Sequence, residues 1–436
     1  MLKPELLSPA GSLKAMRLAF AYGADAVYAG QPRYSLRVRN NEFDLAALAT
    51  GISEAHAQDK KFYVVVNIAP HNSKISSFIS DMAPVVALMP DALIVSDPGV
   101  IYLLQQHFSN MPLHLSVQAN TVNWAAVKFW QTLGVERIIL SRELAVEEIA
   151  EIRVQVPDME LEVFVHGALC MAYSGRCLLS GYINKRDPNQ GACTNSCRWP
   201  YQVHAAVEDE VGQFKPISTP ALLEEQGSPG ELMSIDEDLH GTYILNSKDL
   251  RAIEHVPALT AMGVHSLKIE GRTKSPYYVA RTAQVYRQAI DDAVAGKAFD
   301  YGLLGELDGM ANRGFTEGFL RRHKPQDTQN YHSSHSVGEQ LLVGEFIGEQ
   351  DSQGFALLEV KNQFSVGDTL ILMSPNGNQR FTLRALRNKQ DNDIVLAPGA
   401  CYQLKVQIPL QIDLHFAMLL KQLPLQQVAA TDAVAG

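Results

Sequence analysis

Long apolar runs are absent from this chain. No stretch of its 436 residues approaches the roughly 18 consecutive apolar positions of a membrane span, so no transmembrane segment is expected. The opening Met1-Leu2-Lys3-Pro4-Glu5 carries no apolar signal core, and the expected location is the cytoplasm. An excess of positive charge is absent too: 37 Lys and Arg stand against 47 Asp and Glu, a formal net charge of −10. That argues against a protein coated in nucleic acid, while a local basic patch or a brief encounter with RNA is compatible with an acidic chain. No Gly-x-Gly-x-x-Gly phosphate loop is found, which weakens a doubly wound open sheet. Neither Gly-x-Ser-x-Gly nor His-Glu-x-x-His is present, which removes two common hydrolase signatures. Cysteine is scarce, five in all, yet four of the five fall between positions 170 and 197. In a cytosolic chain, clustered cysteines point to metal or redox chemistry before disulfides.

What is present is an alternation of short β-like runs with helical stretches over the first two thirds. The strand candidates are Glu5–Leu7, Ala26–Ala29, Phe62–Asn67, Ala92–Val95, Leu113–Gln118, Arg137–Leu140, Leu161–Val165 and Ser266–Ile269. They are almost continuously apolar, as buried parallel strands are. Helical patterns such as Leu13–Tyr22, Leu45–Gln58, Val122–Leu133 and Pro276–Ala295 separate or follow them. Eight such units predict an α/β fold, a (β/α)8 TIM-like barrel over 1–322. About 100 residues separate the seventh and eighth strands, and all four clustered cysteines lie there. This insertion, at about 166–245, leaves from the strand end where barrel active sites are built. Within it the acidic segment Glu224–Asp238 reads as an exposed loop. A polar linker at 323–337 leads to an expected small all-β domain at 338–422, with Pro375-Asn376-Gly377-Asn378 as a hairpin turn, and a flexible tail at 423–436.

The cysteine spacing is Cys-x6-Cys-x15-Cys-x3-Cys, formed by Cys170, Cys177, Cys193 and Cys197. Soft thiolates select zinc, Cu(I) or an iron–sulfur centre. Structural zinc commonly uses Cys-x2-Cys knuckles, which neither pair provides, whereas wide spacing in irregular loops suits a four-iron cubane. Zinc and four unrelated buried cysteines are the alternatives. Cys401 stands alone in the β domain and reads as a small core hydrophobe.

Glu162-Val-Phe-Val-His166-Gly-Ala-Leu-Cys170-Met-Ala-Tyr-Ser-Gly175-Arg-Cys177-Leu-Leu-Ser180 resembles the signature of the collagenase-like peptidases of family U32. Glu162, Phe164, Gly167, Ala168, Leu169, Cys170, Gly175, Cys177 and Ser180 fit that pattern. Leu6-Leu7-Ser8-Pro9-Ala10-Gly11-Ser12 and the segment from Asn246-Ser247-Lys248-Asp249 to Lys268-Ile269-Glu270-Gly271-Arg272 match as well, so the resemblance spans nearly the whole chain. Despite its name the family includes iron–sulfur enzymes that hydroxylate RNA bases or quinone precursors. Length, the single β appendage and Lys-Ile-Glu-Gly-Arg make the chain most similar to members that hydroxylate C5 of the wobble uridine of tRNA in a prephenate-dependent way. The resemblance therefore implies a [4Fe-4S] cluster, prephenate as co-substrate or effector, and the tRNA anticodon loop as partner. The alternatives are the ribosomal-RNA cytidine hydroxylases of the same family, or a collagenase-like peptidase.

Other residues can be placed against that expectation. Lys268, Glu270 and Arg272 alternate at the end of the last strand and should share one face of the barrel mouth. Lys268 and Arg272 suit a dicarboxylate, with an internal ion pair as the alternative. Glu162 and His166 have equal parity and are expected to point into the barrel, where Glu270, His166 or Glu162 would move protons. Asn67, Gln118 and Asn120 fit a ligand pocket or helix caps. Arg176, Lys185, Arg186 and Arg198, with Tyr182, Trp199 and Tyr201, suit phosphates and a splayed base; Arg33, Arg37 and Arg39 form a second basic cluster.

Overall fold

The computed structural model describes residues 2–36, 41–170, 173–177, 180, 187–190, 248–312, 314–321, 339–409 and 413–423, and the backbone of six short strands between 205 and 243. Eight parallel strands close a barrel: β1 (Glu5–Pro9), β2 (Ala26–Gly30), β3 (Lys61–Val66), β4 (Ala92–Val95), β5 (Leu113–Leu115), β6 (Arg137–Ile139), β7 (Glu160–Ala168) and β8 (Ser266–Ile269). Closure is explicit in the pairing. Leu6 of β1 lies opposite Leu267 of β8, and Ser266 of β8 lies opposite Glu162 of β7. The helices begin where the chain supplies caps. Ser12, Asp44, Asp97, Asn123 and Ser275 each accept a backbone N–H of the first turn, and Pro98 and Pro276 follow two of these caps.

Three elements differ from the sequence expectation. The fifth strand stops at Leu115, and Val117–Ala119 forms a 3-10 turn that ends on Asn120 at φ 52°. Gln118 is thereby lifted off the sheet and onto the rim. The acidic segment expected as a loop holds paired backbone instead. Leu222–Glu224 pairs antiparallel with Leu232–Ser234, and Asp236–Asp238 with Gly241–Tyr243. Leu222-Leu223 and Leu232-Met233 flank Gly227-Ser228-Pro229-Gly230, which is a hairpin pattern that the acidic composition obscures. An extra strand, Asp249–Arg251, runs antiparallel to the end of β7 and carries the chain back from the insertion.

The chain divides into two compact units, one of Met1–Asp300 with Asn312–Ser336 and a second of Tyr301–Ala311 with Val337–Gly436. The helix Gly302–Asp308 thus belongs with the β unit, where Gln340 N–H donates to Gly309 C=O. The second unit is an antiparallel sheet around Val343, Leu358, Phe364, Leu372, Leu404 and Leu419, all buried. Its hairpin Thr369–Ser374/Gly377–Thr382 turns at Pro375-Asn376 as expected. Cys401 corrects the sequence reading. It is exposed, at φ 73° in the turn before Gln403–Gln407, because the chain reverses there and leaves no core position for it.

Candidate functional site

The C-terminal ends of the barrel strands surround one cavity. Asn67 after β3, Gln118 after β5 and Arg142 after β6 border it on one side. Phe164 of β7 and Lys268, Glu270 and Arg272 at the end of β8 border it on the other. Cys170 and Cys177, from the start of the insertion, border the same cavity.

Its floor is a sealed ion-pair network. Lys268 Nζ donates to Glu162 Oε1 at 2.8 Å, and Arg137 Nη1 lies 2.6 Å from Glu5 Oε1 and 3.4 Å from Glu162 Oε2. The Glu162 side chain is wholly buried and those of Lys268 and Arg137 nearly so. Burial pulls the Lys268 ammonium below the ordinary lysine value, opposed by the Glu162 charge. The same ammonium lies 4.3 Å from the Tyr28 ring centroid. Paired charges in a dry interior hold each other in place, since either one alone carries a heavy desolvation cost.

Above this floor the wall is built on close backbone approaches. Glu270 N–H donates to His166 C=O at 2.8 Å, and Tyr278 Oη donates to Glu270 C=O at 2.7 Å. Gly167, at φ 109°, passes so near that a Cβ there would lie 2.4 Å from the Glu270 carbonyl oxygen. The Glu270 carboxylate is met by Tyr28 Oη at 3.2 Å. Gly30 leaves the space that the Arg272 guanidinium fills, because a Cβ there would stand 2.3 Å from Nη1. Arg142 lies over Phe164, its guanidinium carbon 3.8 Å from the ring centroid. Asn67 Nδ2 donates to Gln118 Oε1 at 3.0 Å, and Ser116 Oγ donates to that same oxygen. Together these groups offer cations and amides around a mostly apolar slot.

The residues singled out in the sequence separate into three groups. Lys268, Glu270 and Arg272 do share the cavity, as do Asn67, Gln118, Cys170 and Cys177. Glu162 and His166 do not. Glu162 is spent in the ion-pair floor, so the catalytic role expected for it is withdrawn. His166 faces outward, its Nδ1 3.3 Å from Tyr286 Oη and its ring packed against Tyr278 and Phe315. Burial pushes its imidazole down to about 3, so it is neutral and poorly suited to carrying protons. The reason is a β-bulge: Lys268 pairs with Phe164 but Ile269 pairs with His166, so one extra residue in β7 flips the parity between Glu162 and His166. Arg176 is exposed outside the cavity lining, and Arg33 is tied to Asp81 at 2.6 Å. Cys193, Cys197, Arg198, Lys185, Arg186, Arg37 and Arg39 and the aromatics Tyr182, Trp199 and Tyr201 lie outside the described residues. Sequence reasoning missed Arg142 and Tyr28. Arg142 sits just beyond the end of β6, where the barrel places ligand groups, and that position was the available signal, whereas Tyr28 lies in the middle of β2 and reads as a strand residue.

Among the described residues no three His, Cys, Asp or Glu side chains converge as a metal site. Among the same residues no histidine borders the cavity, so neither Cys170 nor Cys177 has the imidazole partner of a cysteine hydrolase there. No described helix is long and apolar enough to cross a membrane. The fold and site therefore define a (β/α)8 barrel protein with a cationic, cysteine-edged pocket at its mouth.

This chain belongs to peptidase family U32: the family model matches residues 11–330, and the model of the family's C-terminal domain matches residues 339–421. It is 63% identical to tRNA hydroxylation protein P of Escherichia coli (strain K12) over 97% of both chains. It is 58% identical to tRNA hydroxylation protein P of Haemophilus influenzae, covering 97% of this chain and 96% of that one. A more distant relative, the 23S rRNA 5-hydroxycytidine C2501 synthase of E. coli, is 32% identical over 79% of this chain but only 48% of its own.

Proposed function

We propose that this protein is a tRNA-modifying enzyme that hydroxylates C5 of the wobble uridine, with prephenate as the small dicarboxylate it requires and a [4Fe-4S] cluster held by Cys170, Cys177, Cys193 and Cys197. The observation that supports this most is the single cavity bordered at once by Arg272, Lys268, Glu270, Cys170 and Cys177. Near-full-length similarity to two tRNA hydroxylation proteins favours tRNA over the ribosomal RNA acted on by a relative about half of whose length is matched.

The donor set fits the cluster as far as it is described. Cys170 is exposed, Cys177 is partly buried, both are free thiols, and both face the cavity rather than the core. When bound, such a cluster supplies an electron-transfer or Lewis-acid centre next to a base that is otherwise poorly reactive at C5. The chain's own residues do the rest. A wobble base is unpaired and enters the slot without melting a helix. Tyr28 and Phe164 offer it flat apolar faces, and the amides of Asn67 and Gln118 offer hydrogen-bonding groups to its edge. Arg272, beside Lys268, attracts the carboxylates of the small acid. Glu270, which borders the cavity, accepts the proton that C5 gives up in this reading, replacing Glu162 and His166 in that role. Arg176 stays outside as a phosphate contact for the anticodon loop.

The test is mass spectrometry of nucleosides from tRNA and ribosomal RNA of a strain lacking this protein, complemented with the wild type or with Arg272→Ala. Loss of 5-hydroxyuridine derivatives from tRNA, restored by the wild type and not by the variant, is the expected result. Undiminished 5-hydroxyuridine, in a strain with no second such enzyme, rejects the assignment. Loss of a hydroxycytidine from ribosomal RNA instead reassigns the substrate.

A further inference from the structure

One cation among the described residues that border the cavity is used neither by the ion-pair floor nor by the reading above. Arg142 follows β6 and borders the same cavity as Arg272, which follows β8. Its side chain is only 12% exposed, and its Nε is buried without a hydrogen-bond partner among the described residues. The nearest carboxylate oxygen, Glu270 Oε2, is 4.0 Å from Nη2, beyond hydrogen-bond length. The guanidinium is instead spread over the Phe164 ring at 3.8 Å. A buried guanidinium with a donor left over is costly unless something supplies an acceptor. The ring contact restrains the guanidinium, whose rigid fork of N–H groups suits bidentate recognition of a carboxylate.

We propose that Arg142 is a ligand-binding residue that clamps one carboxylate of the small dicarboxylate, while Arg272 takes the other. This rests on the reading that such an acid enters the cavity. Lys268 then serves as a positioning residue, because its ammonium is committed to Glu162 at 2.8 Å. The cavity that both arginines border has apolar walls, with Ile94, Ile139 and Val117 among them. The ligand class this geometry takes is therefore an acid with two carboxylates separated by a hydrophobic ring or short carbon skeleton. A tRNA phosphate is disfavoured, since the Arg142 side chain reaches a ligand only from within the pocket and lies against its wall.

The experiment uses the full-length, cluster-loaded protein purified without oxygen, with prephenate as the probe. Calorimetric titration gives the prephenate Kd of the wild type, Arg142→Gln, Arg142→Lys and Phe164→Leu. Hydroxylation rates give KM for prephenate and for tRNA separately, and thermal melts check folding. Arg142→Gln is expected to raise the prephenate Kd by at least about tenfold, the loss of one hydrogen-bonded charge. Arg142→Lys is expected to recover little of it, because a point charge lacks the fork. Phe164→Leu, which keeps the charge and removes the platform, is expected to weaken prephenate binding as well; the tRNA KM is compared in the two Arg142 variants alone, because the Phe164 ring also faces the base, and is expected to stay within about twofold of wild type in both. An unchanged prephenate Kd in Arg142→Gln overturns the inference while leaving the proposed function intact, and a raised tRNA KM with unchanged prephenate binding overturns it in favour of a phosphate contact. If Arg142→Gln does not fold, Phe164→Leu with unchanged prephenate binding overturns it equally. A wild-type protein that binds no prephenate overturns the functional reading and this inference together.

Discussion

Glu162 and Lys268 meet at 2.8 Å across the β7–β8 seam, with almost no solvent on either side chain. They close the barrel and form the floor of the pocket rather than its chemistry. Removing the amine alone, as in Lys268→Met, leaves Glu162 with Arg137 as its remaining cationic partner at 3.4 Å. The expected cost is about 3–5 kcal/mol of barrel stability, the range for breaking a buried ion pair, and Glu162→Gln with Lys268→Met together should cost less than the two singles combined. Denaturant unfolding of the three variants checks this. Equal stability of Lys268→Met and wild type contradicts the structural role.

His166 makes acid sensitivity a second test. Its folded value is depressed to about 3 against an ordinary value near 6.5, so the unfolded chain binds the extra proton first as pH falls. The stability it contributes is complete above about pH 6.5 and is lost progressively between there and about pH 3, at up to about 1.4 kcal/mol per pH unit. His166→Phe, which keeps a ring against Tyr278 and Phe315, should flatten the stability curve over that window. An unchanged acid slope means that His166 is not buried as a neutral ring.

Much of this was legible in the sequence, and the exceptions have local causes. Eight apolar runs separated by helical periodicity were enough for the barrel, because a parallel strand covered on both faces has a composition that little else shares. Parity arguments then placed Lys268 and Glu162 correctly on the inner face. They failed at His166 because a one-residue bulge has no signature in the residue pattern, yet it turns that side chain to the other face. Arg142 escaped notice because Ser141-Arg142-Glu143 looks like any charged loop. Only the strand register shows that the arginine turns inward onto Phe164. Cys401 looked like a core residue because cysteine usually is one, and the turn that exposes it depends on the pairing of strands distant in sequence.

In the proposed function Glu270 takes the proton-transfer role, Glu162 and His166 being set aside. Glu270→Gln keeps the backbone contacts to His166 and Tyr278 and removes only the carboxylate. The hydroxylation rate should fall about 10²–10⁴-fold, with an unchanged melting transition and unchanged prephenate affinity to within a few-fold. A loss of less than threefold assigns the proton to another group.

The four clustered cysteines should behave as a set and the fifth should not. Alanine at Cys170, Cys177, Cys193 or Cys197 should each abolish the broad near-visible absorption of anaerobically purified protein and its iron content. Cys401→Ala, in an exposed turn of the β unit, should leave both as they are. Stoichiometric zinc without iron after anaerobic reconstitution contradicts the cluster assignment.

The most direct measurement of the central claim is made in a purified system. Unmodified tRNA is incubated with the cluster-loaded protein and an added electron acceptor that takes up the two electrons released when hydroxyl replaces the C5 hydrogen, with and without prephenate, and nuclease fragments of the tRNA are sequenced by mass spectrometry. The account predicts 5-hydroxyuridine at the wobble position alone, formed only when prephenate is present and lost with Glu270→Gln. No hydroxylated uridine from fully loaded protein with prephenate, or equal product without it, contradicts the account.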